Sequence, residues 1–227
     1  MRPHPTLLAM NFFSHAVVAS WQSREPSFVL GAMLPDLLGM IGIRLSHARD
    51  PDLQRGIALH HATDSAFHAA PVFTSLCGEA IARLTQAGVE RGTARAVGHV
   101  GIELLLDGAL SESQPARAVY AAALEFANRG PLTELMSVTP DAGLARLSSG
   151  LRRLAGAPIP EAYREPDVVA DRLRVILAGR PRLAMREQDL EPVRSWAHAT
   201  RPLVAGRSQE LLAQVRRALV LSGLSLV

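Results

Sequence analysis

The apolar residues of this 227-residue chain recur with the 3.6-residue period of an α-helix in nearly every segment. This period predicts helices at about residues 11–22, 27–42, 50–70, 72–87, 91–110, 115–128, 140–155, 166–179 and 189–219. No alternating strand pattern is visible, and the Gly- and Pro-containing connections between the helices are short. We therefore expect an all-α fold, in which residues 1–227 form a single compact helical domain.

Two of the predicted helices have distinctive sequence features. Asp50 is a plausible N-cap, Pro51 stands at the first helical position, and Pro71 breaks or kinks the helix at its other end. The stretch 28–43 is the longest apolar run, but it is shorter than the roughly 20 residues that a membrane span needs. It is expected to be a buried helix, and Asp36 is its only charged residue.

Metal-ligating residue types recur every four positions on two of the predicted helices. Four residues turn a helix by about 400°, so side chains at this spacing share one face. These positions are His60, Asp64 and His68 on one helix, and His99, Glu103 and Asp107 on another. Two such faces on neighbouring helices are typical of a divalent metal site in a helical bundle. His15 and Asp36 are added because both lie in apolar runs, where a buried, unpaired carboxylate requires a cation or strong hydrogen-bond donors.

Each of these residues also has a simpler interpretation. His15 alone could be an ordinary core histidine, and Asp36 could cap a helix that begins at Leu37. His60 and Asp64 could be a solvated ion pair worth about 0.3–0.5 kcal/mol. His61 lies about 100° around the helix from His60, so only one of the two can face the site. Solvated helix faces usually also carry Arg, Lys or Gln, and their absence from both faces favours the metal site.

The amino-acid composition excludes or disfavours several classes of function. The chain has 24 arginines and no lysine, which excludes Schiff-base and phosphate-loop lysine chemistry. The single cysteine, Cys77, allows no internal disulfide, and no signal peptide is visible, so a cytoplasmic location is expected. The Arg-rich half 111–227 favours an acidic partner, whereas sparse aromatic residues and the absence of a known motif disfavour nucleic acid.

Four motifs agree in order and spacing with a known family. They are Met10-Asn11-Phe12-Phe13-Ser14-His15, Gly31-Ala32-Met33-Leu34-Pro35-Asp36, Gly56-Ile57-Ala58-Leu59-His60-His61-Ala62-Thr63-Asp64 and Ile102-Glu103-Leu104-Leu105-Leu106-Asp107. Over residues 10 to about 110 the chain resembles the bacterial acyl carrier protein phosphodiesterases, which are divergent relatives of HD-domain metal-dependent phosphohydrolases. Because the resemblance begins at Met10, translation could start there or at Met1, and residues 1–9 would then be a disordered extension.

The resemblance implies hydrolysis of the phosphodiester that joins 4′-phosphopantetheine to acyl carrier protein, with one or two divalent ions such as Mn, Fe or Zn. The metal ligands that it implies are His15, Asp36, His60, Asp64 and Asp107. Asp64 would also belong to the catalytic residues, and His68, His99 or Glu103 would orient ligands or protonate the leaving group. Two alternatives stay open: another HD-like or zinc-dependent phospholipase C-like hydrolase, and a non-catalytic helical binding protein with a vestigial metal site.

Overall fold

The computed structural model describes residues 12–140, 142–157 and 159–224, and this part of the chain has an all-α fold, as expected. The predictions for residues 1–9 and for the start at Met1 or Met10 lie outside the described residues. The helices are α1 (Phe12–Ala19), α2 (Pro26–Met40), α3 (Pro51–Ala69), α4 (Pro71–Gln86), α5 (Arg91–Leu110), α6 (Gln114–Arg129), α7 (Leu132–Leu135), α8 (Gly143–Ala155), α9 (Ile159–Ala162), α10 (Pro166–Ala178) and α11 (Leu190–Leu221). A short 3₁₀ helix, Glu187–Asp189, precedes α11.

Every predicted helix is present, with small differences at its ends. Two short strands that no alternating pattern in the sequence indicates are present beside the helices. Strands β1 (Arg44–Ala48) and β2 (Met136–Thr139) pair antiparallel, with Arg44 opposite Thr139 and Ala48 opposite Met136. Met136 and Val138 do alternate with two polar residues, but four residues are too few to establish a period. The single-turn helices α7 and α9 escaped prediction for the same reason.

Helices α3 and α2, which carry predicted site residues, show how the local sequence sets where a helix begins and ends. Asp50 caps α3 by accepting a hydrogen bond of 2.7 Å from the Leu53 amide, and Pro71 starts the next helix, α4. Helix α2 runs without interruption through Pro35, so the alternative in which Asp36 caps a helix starting at Leu37 was wrong. Asp36 is instead a buried interior residue of an almost wholly buried helix.

Helices α2 and α3 approach each other closely at two glycines. A Cβ atom on Gly31 would lie 2.2 Å from the Leu53 carbonyl oxygen, and one on Gly56 would lie 2.1 Å from the Phe28 carbonyl oxygen. Real Cβ atoms do not tolerate such distances, so this crossing requires glycine on both helices. The crossing brings the part of α2 that carries Asp36 against the part of α3 that carries His60.

The C-terminal helices complete the core. Trp196 of α11 is fully buried, and α11 packs against α3, α4 and α5. Burial of these apolar faces supplies the main driving force for folding. Among the described residues, no helix combines the length and the hydropathy that crossing a bilayer would require.

Candidate metal centre

Helices α1, α2, α3 and α5 bring all the predicted site residues into one region of the bundle. His15 comes from α1, Asp36 from α2, three residues from α3 and three from α5. We define the primary group as His15, Asp36, His60 and Asp64, and the second group as His68, His99 and Glu103. The i,i+4 spacing on α3 places its residues on one face, as the sequence predicted.

In the primary group, two imidazoles face two carboxylates at nearly uniform distances. His15 Nε2 lies 3.6 Å from Asp36 Oδ2 and 3.5 Å from Asp64 Oδ1. His60 Nε2 lies 3.9 Å from one oxygen of each carboxylate. These distances exceed ordinary hydrogen bonds, yet they are close to the roughly 3.3 Å that separates ligand atoms around a tetrahedral ion with bonds of about 2.0 Å.

The polar atoms of this group lack partners, which tests whether its residues fit a metal. Both ring nitrogens of His15 and Oδ2 of Asp36 are buried and accept or donate no hydrogen bond among the described residues. Buried polar atoms without partners are costly, and the atoms involved are nitrogen and carboxylate oxygen, the ligands that Zn²⁺, Mn²⁺ and Fe²⁺ accept. The donor set therefore fits a divalent ion.

His60 is oriented as a metal-binding histidine is. Its Nδ1 donates a 2.9 Å hydrogen bond to the Ala32 carbonyl oxygen, which can only accept, so Nε2 carries the lone pair. That lone pair is directed toward the Asp36 and Asp64 carboxylates, at 3.9 Å from each, and a cation between them would make this arrangement favourable. Bonding of the second ring nitrogen to a backbone carbonyl is a common feature of metal-ligating histidines.

His61 does not join the primary group. Its side chain is exposed, and its ring stands nearly perpendicular to that of His60, with centroids 5.3 Å apart. The sequence left open which of the two histidines faces the site, and the structure places His60 there. The rings of His15 and His60 stack with centroids 4.1 Å apart.

Burial and neighbouring charges shift the pKa values of the group apart. Burial raises the pKa of Asp36 to about 7, while burial and the nearby His15 lower the pKa of His60 to about 3. Burial also opposes charge on His15 and Asp64, but their attraction outweighs it, so the pKa of His15 is raised and that of Asp64 is lowered. The protein itself thus leaves Asp36 poorly compensated, and a divalent cation would supply the missing charge.

The second group converges on one carboxylate. His68 Nε2 and His99 Nε2 each lie 3.2 Å from Oε1 of Glu103, and the two rings stack with centroids 4.8 Å apart. Glu103 is fully buried, and its other oxygen, Oε2, has no hydrogen-bond partner among the described residues. Burial alone would raise the pKa of Glu103, but the two histidines lower it. One ligand atom from each residue could surround an ion.

The two groups are neighbours. Asp64 and His68 are one turn apart on α3, and the charge of His68 contributes to the lowered pKa of Asp64. The Glu103 charge likewise contributes to the raised pKa of Asp36. Asp64, His68 and His99 keep side-chain exposures of 31%, 33% and 24%, so the centre opens to solvent on this side.

Asp107 is placed differently from the other predicted ligands. Its Oδ1 accepts hydrogen bonds from the Ser14 amide, at 2.8 Å, and from the Ser14 hydroxyl, while its Oδ2 accepts a longer bond from the Phe13 amide. These amides belong to the first turn of α1, where a carboxylate is favourable. Burial raises the pKa of Asp107 to about 7 against these donors. Asp107 thereby fixes α1 and its His15, and its role as a direct ligand stays a prediction.

This placement predicts that Asp107→Ala destabilises even the metal-free protein. Two buried amides and one hydroxyl of α1 lose their acceptor, so we expect the free energy of unfolding to fall by about 1–3 kcal/mol. Urea denaturation in the presence of a chelator measures this. Ser14→Ala, which removes the hydroxyl alone, is expected to cost less, and an unchanged midpoint for Asp107→Ala would contradict the anchoring role.

Sequence reasoning missed two participants. Ser14 donates to Asp107, and the only signal for it was its position beside His15. The Ala32 carbonyl, which orients His60, has no sequence signal because any residue supplies a backbone oxygen.

Comparison with known proteins identifies no family for the chain: no family model matches it, and no significant match occurs among curated proteins or solved structures. The resemblance to acyl carrier protein phosphodiesterases therefore stays a prediction.

Proposed function

We propose that the protein is a metal-dependent hydrolase that cleaves phosphodiesters. One observation carries the metal part of this proposal: the lone pair of His60 Nε2 is directed at two carboxylates in a buried site, beside the unpaired nitrogens of His15. A purely structural polar network would satisfy its own donors and acceptors.

A divalent ion held by the primary group would lower the pKa of a water molecule and neutralise phosphoryl oxygens, which is the chemistry that hydrolysis requires. The residues of the chain prepare that site. Ala32 and Asp107 fix His60 and α1, and the partly exposed Asp64 stands where solvent and substrate reach the group. The apolar helix faces behind His15 and Asp36 keep water from the far side.

The second group supports a second ion. The unpaired Oε2 of Glu103 and the nearby histidines form a set of metal-ligating atoms next to the first. Two adjacent ions would stabilise both the attacking and the leaving oxygen of an in-line displacement. If the site holds one ion only, His68 and His99 are instead placed at the solvent-facing side, where either could protonate a leaving alcohol.

The choice of phosphodiester, and of holo-acyl carrier protein as its source, rests on the sequence resemblance. The excess of arginine in residues 111–227 supports an acidic partner through long-range attraction. Helix α8 presents Arg146, Arg152 and Arg153 at the surface. Arginine spread over solvated faces explains the same composition, so only a substrate assay discriminates the two.

Metal analysis joined to a phosphodiesterase screen tests the proposal. We expect purified protein to hold at least one equivalent of Mn, Fe or Zn, and to release 4′-phosphopantetheine from holo-acyl carrier protein. Turnover of another phosphodiester only, such as a phospholipid or a cyclic nucleotide, would contradict the proposed carrier-protein substrate and support the proposal of a hydrolase. Stoichiometric metal without hydrolysis of any ester would favour the non-catalytic binding protein.

The second ion is tested by Glu103→Gln. We expect this variant to lose one of two bound equivalents, because an amide is a poorer metal ligand than the carboxylate at the centre of the second group. Metal content by elemental analysis, after dialysis against buffer, measures the change. Two equivalents in the variant would place the second ion elsewhere, and one equivalent in both proteins would exclude it.

A further inference from the structure

An apolar pocket of about 290 Å³ lies beside the primary group, between α2, β1 and α3. Its walls are mostly aliphatic, from Leu34, Leu38, Ile43, Leu45 and Ile57. Leu38 and Ile43 are buried, whereas Leu45 and Ile57 are half-buried and keep the pocket open. The hydrolytic chemistry uses none of these residues.

The residues that line the pocket include sequence neighbours of the metal centre, but none of the four residues of the primary group. Pro35 lines the pocket, and the next residue is Asp36 of the primary group. His61 lines it as well, and its ring contacts that of His60. The polar lining is confined to two exposed residues, His61 and Arg44, and Arg44 forms no ion pair with a described residue. An apolar cavity with the Arg44 guanidinium at its edge thus lies one residue along α2 from Asp36 and one residue along α3 from His60.

We propose that this pocket binds the apolar organic group of the phosphodiester while the phosphate lies at the primary group. The inference rests on the proposed function, and it adds a substrate class: esters of an alkyl or aryl alcohol of limited size. Apolar lining favours such a group because each buried methylene leaves water, whereas a charged or sugar substituent would lose hydration without finding partners.

Binding of methyl, butyl and hexyl phosphate to the metal-loaded protein tests the pocket without requiring turnover. We expect the dissociation constant to fall by about two- to fourfold per added methylene until the pocket is filled, since full burial of one methylene corresponds to about fourfold. Isoleucine methyl signals in NMR give a second readout. The methyls of Ile43 and Ile57 should shift with butyl and hexyl phosphate. A dissociation constant independent of chain length, or unshifted methyls, would overturn the inference.

Two variants and a control test whether the chain-length dependence of binding arises in this pocket. Ile57→Trp fills the pocket from its half-buried side, and Leu45→Gln makes its wall polar; each should reduce the chain-length dependence to less than twofold in total. Val175→Trp places the same side chain on an exposed site of α10 and should leave the series unchanged. The series on the unmodified protein decides the matter if both variants unfold.

Hydrolysis separates failure of this inference from failure of the proposed function. Cleavage of dimethyl and dihexyl phosphate at equal kcat/KM would keep the hydrolase and overturn the pocket. Chain-length-dependent binding without any cleavage would keep the pocket and reject the hydrolase. Parallel assays on phosphatidylcholine vesicles and on the soluble esters show whether the apolar group comes from a lipid or from a small alcohol, and a preference for the longer chain is expected in either.

Discussion

Asp64→Ala is expected to remove the bound metal and the phosphodiesterase activity together. Asp64 faces both histidines of the primary group, with Oδ1 toward His15 and Oδ2 toward His60, so its loss leaves the ion without a carboxylate on the solvent side. We expect metal affinity to fall by about 100-fold or more, because even residues that only orient ligands cost 10–100-fold. Elemental analysis and the rate of ester hydrolysis on the same sample measure both losses.

The control for this variant is Asp52→Ala, which removes a carboxylate from the first turn of the same helix. Asp52 forms a surface ion pair with Arg55, a kind of contact that contributes little to stability. Metal content and turnover should stay at the level of the unmodified protein. Full metal content and turnover in Asp64→Ala would contradict the assignment of the primary group.

Gly56→Ala is expected to disrupt the protein far more than a single methyl group suggests. The added Cβ would stand 2.1 Å from the Phe28 carbonyl oxygen, and backbone atoms cannot move aside as a flexible side chain can. Helices α2 and α3 would have to separate, which we expect to cost about 3 kcal/mol or more, at the upper end of overpacking effects. The same displacement moves Asp36 away from His60, so the folded fraction should also bind metal more weakly.

Gly78→Ala provides the matched control within α4. A Cβ there meets no atom within 4 Å, and the residue is exposed, so the change should stabilise the protein by about 1 kcal/mol through helix propensity. Thermal or urea unfolding of both variants measures the contrast. Equal stability of Gly56→Ala and the unmodified protein would show that the two helices do not cross as closely as described.

The helices were predictable because their signals are local. Asp50 and Pro51 mark the start of α3, and a long apolar period needs only the residues within each helix. The sheet was not predictable because β1 and β2 are short and lie about 90 residues apart, so each gains its partner only in the folded chain. The close crossing at Gly31 and Gly56 is also a tertiary property, since two glycines on separate helices indicate nothing until the helices pack.

The site residues were predictable as a set, but their grouping was not. The spacing on α3 placed His60, Asp64 and His68 on one face. Only the packing of α1, α2 and α5 shows which predicted residues form the primary group, which form the second group, and that Asp107 holds α1. Asp107 illustrates the limit: its sequence context is that of a ligand, whereas its oxygens are occupied by the amides of α1. Such a contact depends on which helix packs against Asp107 in the folded chain, and the local sequence does not determine that.

The most direct test of the metal centre is anomalous diffraction from crystals grown with Mn²⁺ or Zn²⁺. We expect a peak within about 2.0–2.3 Å of His15 Nε2, His60 Nε2 and a carboxylate oxygen of Asp36 or Asp64. A second peak beside Glu103 would report the second ion. Well-ordered crystals with no anomalous peak between His15 and His60, at saturating metal and neutral pH, would contradict the central claim.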